Sequence, residues 1–349
     1  MKIFLAFPLA VLLASTPAGL DAQTPQQGPQ PRPMIVDYLP QVDSLDKAEE
    51  FYHHLLGLES TVGDPRARLG WYPGNAFLND MYGVAGNVRN FYLRVPVTDL
   101  MIEPIQWSEA KGKPLSPRLQ DPGAARLVLT VTDIDLLWQR LEKSGVEIVT
   151  AGGKPISVSE DGSEFRTLLV KDFSGFFVEL VQPSGPSATG PGGAPPTYFI
   201  SGASIAVTVD DIDSAATFYR DVLGLEVRVS PGFMADAQRL QAFGMKGARY
   251  REATVVWPDK TPQMHLIEFK DIDRKPLTPL VPDPNSIVLR INLREDMATT
   301  VAKVKASATA QIMNLSGMPF LNGRTQWLMV KGPGGAHLQF VAPAPPQSN

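Results

Sequence analysis

The sequence predicts an α+β protein built from four βαβββ modules that form two tandem domains. Three observations lead to this fold class. The frame VDSLDKAEEFYHHLLGLE, which begins at Val42, returns as VDDIDSAATFYRDVLGLE at Val209. The same shape recurs within the first half, from Val131. A stretch rich in proline and glycine separates the halves, and such composition is typical of a linker between domains. Repetition on this scale indicates repeated supersecondary units.

Each frame predicts a strand, a turn, an amphipathic helix and a second strand. In the first frame, Ala48, Phe51 and Leu55 recur at the spacing of one helix face. Ser44 or Asp46 can cap the start of this helix. Gly57 stands where the end of a helix favours a left-handed residue. Three strand-like segments follow each helix, so the predicted unit is βαβββ.

The breaks between these units predict the domain organisation. Residues 1–22 are predicted to be a signal peptide, because Lys2 precedes an apolar run that is too short to span a bilayer. The remaining predicted segments are a disordered linker at 23–33, a first domain at 34–183, a Pro/Gly-rich linker at 184–199, a second domain at 200–343 and a tail at 344–349. We therefore expect an exported protein, periplasmic or secreted, with no membrane contact after signal cleavage.

The composition narrows the class of function. The chain is 44% hydrophobic and 19% charged, which is a globular balance. A net charge of −4 without a long basic run argues against nucleic acid as a partner. The absence of cysteine excludes a disulfide framework, a thiolate nucleophile and a Cys-ligated zinc. The sequence also contains no G-x-S-x-G, P-loop or H-E-x-x-H motif.

The two long frames, together with DFSGFFVEL at Asp172–Leu180, resemble the vicinal oxygen chelate superfamily. This superfamily includes glyoxalase I, bleomycin-resistance proteins and extradiol dioxygenases. The resemblance runs from about Met34 to Pro343. It implies two glyoxalase-like domains, in each of which two modules curl their sheet around a cleft. In the metalloenzymes, four side chains from the first and last strands of the modules hold a divalent ion there.

In the first domain, the resemblance implies a cleft formed by Asp37, Glu103, Arg126 and Glu179, with Tyr82 on a loop beside it. Three carboxylates in one hollow would raise one another's pKa values. Either a divalent metal such as Mn, Mg, Ni or Zn is bound by Glu103, Glu179 and Asp37, or Arg126 pairs with Glu179 or Glu103 instead. A cation ~4 Å from a guanidinium loses about 4 kcal/mol at a protein-like dielectric, which favours the metal-free alternative.

The metal-free alternative has two branches. In one, Arg126 holds a substrate oxygen and Glu179 acts as a general base, which would make both residues catalytic. In the other, the two side chains form a structural ion pair within the sheet.

In the second domain, the equivalent cleft positions are Ser204, Glu268, Ser286 and Gln339. His337 shares a strand face with Gln339, and Phe243 lies on a predicted loop beside the cleft. One histidine and one glutamate are too few for a stable transition-metal site. The cleft also lacks the set of two histidines and one glutamate that the resemblance implies for the iron site of an extradiol dioxygenase. The resemblance therefore argues against that activity. By strand alternation, His265 is expected on the opposite face from Glu268 and so outside the cleft.

The sequence therefore favours an exported protein that binds a small organic molecule in a metal-poor cleft. Four modules in one chain can complete both clefts, so we expect a monomer to be sufficient. One alternative is a glyoxalase-like isomerase or lyase that uses the first-domain cleft, with or without a divalent metal. A second alternative is a periplasmic interaction module whose clefts are filled by side chains.

Overall fold

The structure is a computed structural model that describes residues 36–60, 70–96, 98–110, 112, 114–160, 163–184, 200–235, 237–257, 264–314, 319–321 and 323–344. The predicted signal peptide, the linker at 23–33, and nearly all of the 184–199 linker and of the tail lie outside the described residues. The described residues fall within one compact unit. None of their helices is long and apolar enough to cross a membrane.

The strands follow the predicted modular order. Module 1 contains β1 (Val36–Pro40), β2 (Glu59–Ser60), β3 (Tyr72–Pro73), β4 (Asn87–Asn90), β5 (Leu93–Arg94), β6 (Met101–Ile102) and β7 (Ile105–Trp107). Module 2 contains β8 (Ala125–Val131), β9 (Glu147–Ile148), β10 (Ile156–Glu160), β11 (Ser163–Lys171) and β12 (Phe177–Pro183). Module 3 contains β13 (Ile200–Thr208), β14 (Glu226–Val229), β15 (Arg249–Val256) and β16 (Met264–Lys270). Module 4 contains β17 (Ile287–Asn292), β18 (Gln311–Ile312), β19 (Phe320–Leu321), β20 (Thr325–Lys331) and β21 (His337–Pro343).

Each module has the predicted helix after its first strand. These helices are α1 (Leu45–Glu49, continuing as a π-helix over Glu50–Leu55), α3 (Ile134–Lys143), α4 (Ile212–Asp221) and α6 (Met297–Ala306). The predicted end signals are confirmed, because the Ser44 side chain accepts from the Lys47 backbone N–H and Gly57 has a φ of 73°. A short 3₁₀ turn at Pro333–Gly335 precedes β21.

Two further helices lie where loops were expected. They are α2 (Ala76–Tyr82) in module 1 and α5 (Ala237–Ala242) in module 3. Tyr82 is thus the last residue of a helix, and Phe243 directly follows one. Asn75 caps α2 by accepting from the Leu78 N–H, and this signal falls outside the repeated frame.

The sheets join modules in a crossed manner. The first sheet, with the strand order β18-β20-β21-β17-β1-β6-β5-β2, combines modules 1 and 4. The second sheet, β10-β11-β12-β8-β13-β16-β15-β14, combines modules 2 and 3. In addition, β19 pairs with β20, β9 pairs with β11, and β3, β4 and β7 form a small third sheet.

The two predicted domains therefore follow one another along the chain, but each large sheet takes one module from each of them. The prediction that modules 1 and 2 share one cleft, and modules 3 and 4 another, is wrong. Repeats in the sequence identify equivalent modules, but they do not show which module supplies the partner for a strand edge.

One hydrophobic core lies between the helices and both large sheets. It contains Leu45 and Phe51 from the first helical segment, Leu137 from α3, Tyr38 from the first sheet and Leu127 from the second. Because side chains alternate along a strand, the neighbours of these core residues point to the other face of each sheet. Those other faces form two separate clefts.

Candidate functional site

The two clefts can be compared position by position, because each sheet is built around one antiparallel pair of first strands. In the first sheet, Asp37 on β1 lies opposite Arg290 on β17. In the second sheet, Ser204 on β13 lies opposite Val128 on β8. On the next strand outward, Gln339 is the neighbour of Arg290, and Glu179 is the neighbour of Val128.

The strands on the other side of each central pair, β6 beside β1 and β16 beside β13, show which further residues occupy equivalent positions in the two clefts. Ile102 pairs with Tyr38 in the first sheet, and Met264 pairs with Ile205 in the second. Tyr38 and Ile205 each follow the central residue of their own strand. The residues after Ile102 and Met264 are Glu103 and His265, so these two occupy the same position in their respective clefts.

In the first-sheet cleft, the guanidinium of Arg290 occupies the centre. It contacts the Glu103 carboxylate through Nη2 and lies 3.6 Å from Asp37 Oδ2 through Nη1. Its Nε donates to Gln339 Oε1 at 3.0 Å. Only 15% of the Arg290 side chain is exposed. One cation thus connects three of the positions that line the centre of this cleft.

A second layer of hydrogen bonds closes this network. Gln339 Nε2 donates to Tyr82 OH at 3.0 Å, and Asn90 Nδ2 donates to Glu103 Oε1 at 2.6 Å. Tyr72 in turn donates to Asn90 Oδ1 at 2.7 Å. The remaining cavity measures about 190 Å³ and is bordered mainly by aromatic and aliphatic side chains.

Burial raises the pKa of Asp37 to about 6, although the Arg290 guanidinium acts in the opposite direction. The Glu103 carboxylate nearby raises it further. Asp37 Oδ1 is buried without a hydrogen-bond partner among the described residues. The Arg290 guanidinium therefore interacts more strongly with Glu103, to which it is closer, than with Asp37.

In the second-sheet cleft, the fully buried acid is Glu179. Arg126 Nε lies 3.1 Å from its Oε2, and Arg239 Nη2 donates to its Oε1 at 2.9 Å. Thr167 Oγ1 also donates to Oε1 at 2.9 Å. Burial alone would raise the pKa of Glu179, but the two guanidiniums outweigh it and hold this pKa at about 2. Glu179 is thus a permanent carboxylate that anchors two cations.

His265 and Glu252 form a second polar pair in this cleft. His265 Nδ1 and Glu252 Oε1 are 2.6 Å apart. Burial would raise the pKa of the Glu252 carboxyl, but its contact with His265 and the charges of Arg126 and Arg239 lower it overall. Glu252 is therefore ionised and accepts the hydrogen bond, so the proton of this contact lies on the imidazole.

Small side chains leave this cleft open. Ala206 on β13 lies between Arg126 on β8 and His265 on β16. Only the methyl group of Ala206 therefore separates the side chains of Arg126 and His265. Ser204, two residues before Ala206, faces the same cavity. The cavity measures about 790 Å³. Its border includes the apolar side chains of Phe165, Val181, Pro231 and Met234.

The structure regroups the predicted cleft residues. Asp37, Glu103, Gln339 and Tyr82 lie together in the first-sheet cleft. Arg126 and Ser204 border the second-sheet cleft, Glu179 is fully buried and pairs with Arg126, and Phe243 packs against Arg239. The prediction that Asp37, Glu103, Arg126 and Glu179 share one cleft is therefore wrong. The predicted Arg126–Glu179 ion pair is present, and the alternative pairing of Arg126 with Glu103 is not formed.

Of the residues that were expected in the second-domain cleft, Gln339 lies in the first-sheet cleft, and three others lie outside both clefts. Glu268 faces the helices and accepts from the Ile212 N–H at the start of α4. Ser286 and His337 contact each other, with Oγ and Nδ1 3.1 Å apart, beside a closed cavity of about 10 Å³. His265 and Glu268 do lie on opposite strand faces, but His265 is on the cleft side. The sequence match between the segments at Met101 and Leu266 is out of register by three residues, because Ile102 is equivalent to Met264 in the sheets, and an odd shift exchanges these faces.

Sequence reasoning missed Arg290, Arg239 and Glu252 altogether. Arg290 and Arg239 pair with carboxylates of other modules, so their roles depend on which modules meet. Glu252 could have been found from strand alternation on β15, because it shares a face with Thr254, which pairs with His265.

Comparison with known proteins identifies the family. The sequence model of the Glyoxalase/Bleomycin resistance protein/Dioxygenase superfamily matches residues 35–180 and again residues 203–340. The chain therefore belongs to this superfamily, and the resemblance inferred from the sequence is confirmed.

Solved structures share the fold. Glyoxalase I from Zea mays has a TM-score of 0.56 and 15% identity, over 89% of this chain and 92% of that chain. A putative dioxygenase from Bacillus subtilis subsp. subtilis str. 168 has a TM-score of 0.51 and 15% identity, over 90% of this chain and 86% of that chain. No curated protein matches by sequence. At these identities the likeness shows the fold and leaves function to be argued from the site.

The residues at the two centres do not fit the divalent metal that the resemblance implies. In the first-sheet cleft, the two carboxylates already contact Arg290, and a cation ~4 Å from its guanidinium would lose about 4 kcal/mol. In the second-sheet cleft, Val128 offers no ligand atom and Glu179 is bound by two guanidiniums. Within the described part of the chain, no group of three or more His, Cys, Asp or Glu side chains could hold a metal ion.

Proposed function

We propose that this protein binds a small organic molecule in the second-sheet cleft. The observation that carries the proposal is the open cavity of about 790 Å³, which lies within the usual size range of small-molecule sites. The first-sheet cleft has about 190 Å³ and its centre is filled by Arg290. The second-sheet cleft therefore supports binding better than the first.

The border of the cavity suggests the chemistry of the ligand. At its base, the charges of Arg126 and Arg239 balance those of Glu179 and Glu252, and His265 adds an imidazole that contacts Glu252. Apolar side chains form much of the remaining border. This combination suits an oxygenated molecule with a polar end directed at the guanidiniums and an apolar end near Phe165 and Met234.

Export remains part of the proposal. The charged and apolar pattern of residues 1–22 supports a signal peptide, which would give a mature chain that begins at Gln23. The absence of cysteine suits an oxidising compartment such as a periplasm or the medium.

The alternatives differ in what the second-sheet cleft does. A glyoxalase-like isomerase or lyase would need a group that transfers a proton, and the His265–Glu252 pair favours this alternative. An interaction module would need both clefts to be filled by side chains, and the open second-sheet cavity argues against it.

A matched pair of variants tests the binding proposal. Melting curves of the mature chain are recorded with a panel of small carboxylates and α-hydroxycarbonyl compounds, and affinities follow from calorimetry. A ligand at 100 times its Kd adds about 2.7 kcal/mol of stability, which raises the melting temperature by several degrees. Ser204→Phe places a ring on the cavity floor and should abolish the shift.

Ser159→Phe adds the same ring on the exposed side of β10, outside the cavity, and should leave the shift intact. A panel in which no compound stabilises the wild type, or in which Ser204→Phe responds as the wild type does, would contradict binding in this cleft. Mn²⁺, Mg²⁺, Ni²⁺ and Zn²⁺ serve as further probes, and they should not raise the melting temperature, because guanidiniums hold the central carboxylates.

A further inference from the structure

We propose that His337 is an acid-sensitive latch, and that protonation of its imidazole releases the segment that joins module 3 to module 4. This connecting segment is residues 271–286, between the end of β16 and the start of β17. His337 is the first residue of β21 and lies outside both clefts. The latch therefore gives the fold a response to pH that needs no ligand.

The imidazole of His337 is enclosed. Only 1% of the residue is exposed, and it adjoins a cavity of about 10 Å³, which has room for one water molecule at most. Nδ1 lies 3.1 Å from Oγ of Ser286, the last residue of the connecting segment. Nε2 has no hydrogen-bond partner among the described residues. Both nitrogens of an imidazolium are donors, so protonation would leave a buried N–H without an acceptor.

The groups around His337 also oppose protonation. Burial, and to a smaller degree the ammonium of Lys331, lower the pKa of His337 from 6.5 to about 4. Lys331 lies opposite His337 on β20. On the other elements beside the imidazole, the neighbouring residues are uncharged: Val288 on β17, Ala125 on β8, Val207 on β13, and Leu277, Pro279 and Asn285 in the connecting segment. Protonation would thus place two cations side by side, with no carboxylate among these neighbours to balance them.

The second sheet carries a side chain that cannot be protonated at the same position. There, the first residue of the last strand is Phe177. Lys171 lies opposite Phe177 on the neighbouring strand, as Lys331 lies opposite His337. The Lys171 ammonium is 5.5 Å from the centroid of the Phe177 ring, which is a favourable cation–π contact. The same lysine position is therefore stabilising in the second sheet at every pH, whereas in the first sheet it disfavours the protonated state of its neighbour.

The connecting segment covers the imidazole and has strained residues near both ends. It contains no helix or strand, and Leu277 and Pro279 border the cavity beside His337. Asp271 and Asn285 have φ values of 63° and 71°, and no other described residue except glycine has a positive φ. A left-handed conformation is uncommon for side chains other than glycine and costs free energy. Release of the segment would relax both positions and expose the imidazole to water.

The direction of the pH dependence follows from the two states of His337. The imidazole titrates near 6.5 when it is in water and near 4 when the segment covers it. The covered state therefore has its full stability above pH 6.5 and loses stability as the pH falls toward 4. One pKa unit corresponds to a factor of ten in the equilibrium constant, so the constant for opening should rise about 100-fold between pH 7.5 and pH 4.

Hydrogen exchange of the mature protein tests the latch. Exchange is followed by mass spectrometry at pH 7.5, 5.5 and 4 and is corrected for the intrinsic rate at each pH. The reporters are the backbone N–H groups of Leu277 and Asn285, which donate to the carbonyl oxygens of Pro122 and Gln41 at 2.8 Å. Their protection should fall about 100-fold from pH 7.5 to pH 4. The amides of β12, beside Phe177, should show a much smaller change.

Two reciprocal variants exchange the side chains of the two sheets. His337→Phe should remove the acid-dependent loss of protection in the connecting segment. Phe177→His should introduce such a loss at β12, beside Lys171. His54→Gln is the matched control, because His54 is exposed on the helix of module 1, and it should respond to pH as the wild type does. An unchanged loss of protection in a folded His337→Phe variant would overturn the proposal.

An NMR titration provides a second test that depends on no variant. The chain has four histidines, and their Cε1–H signals are followed in the folded wild type from pH 8 to pH 3.5. One of the four signals should titrate near pH 4, over the range in which the Leu277 and Asn285 amides lose protection. If all four signals titrate above pH 6, or if both amides keep their protection at pH 4, the latch does not exist.

Discussion

The two large sheets place different side chains at equivalent positions, and the difference decides which cleft is open. Asp37, Arg290, Gln339 and Glu103 in the first sheet correspond to Ser204, Val128, Glu179 and His265 in the second. In the first sheet, the arginine stands on the central strand pair and reaches across the middle. In the second, Arg126 lies two residues before the central Val128 and pairs with Glu179 to one side. A shift of one arginine by two residues along its strand thus separates a filled centre from a cavity.

The largest expected effect concerns the second sheet. Glu179→Gln leaves Arg126 and Arg239 without their carboxylate, and guanidiniums cannot lose their charge at accessible pH. We expect the free energy of unfolding to fall by about 3–5 kcal/mol at pH 7, measured by urea denaturation. The ionised Glu179 contributes stability above its unfolded pKa, and this contribution is lost as the pH falls toward about 2. The difference between variant and wild type should therefore shrink below pH 4.5.

A smaller effect is expected at the centre of the first sheet. Arg290→Met leaves Asp37 and Glu103 unpaired, but a carboxyl group can take up a proton where a guanidinium cannot release one. We expect a loss of about 3 kcal/mol at pH 7 that decreases toward acid pH, from the same urea measurements. Arg249→Met, at an ion pair in which both side chains are about half exposed, is the control and should cost at most about 1 kcal/mol. Equal losses for the two variants would show that the Arg290 network is not an important source of stability.

The smallest effect has the opposite sign. The folded-state pKa of Asp37 is raised from 3.8 to about 6, so its contribution to stability is complete below 3.8 and is lost as the pH rises through 6. Asp37→Asn should therefore resemble the wild type at pH 4 and be more stable by about 1–3 kcal/mol at pH 7.5. Asp135→Asn is the control with reversed sign, because hydrogen bonds from Arg166 lower the pKa of Asp135. If Asp37→Asn becomes less stable than the wild type as the pH rises, then the charge of Arg290, and not burial, determines the pKa of the Asp37 carboxyl.

The modules could be predicted from the sequence, but the residues that come together in each cleft could not. The repeated frames predict the helices, the Ser44 cap and the left-handed Gly57, because those depend on neighbours within a few residues. The clefts depend on contacts between distant modules. Asp37 meets Arg290 and not Arg126, and no local pattern distinguishes these partners. Placing His265 in the cleft required the strand register, since a three-residue error in matching the segments at Met101 and Leu266 assigns Glu268 to the cleft instead.

The crossed pairing of modules also sets the order in which this protein can be completed. Module 2 meets module 3, its neighbour along the chain, so the second sheet can form early during synthesis. The first strand, β1, has its edge exposed until β17 of module 4 has been made. At roughly 5–20 residues per second, that edge waits for tens of seconds. An unpaired strand edge is a template for association with other chains. The unpaired edge of β1 is therefore a site at which newly made chains can associate, and the second sheet, with its open cleft, can be assembled before the first.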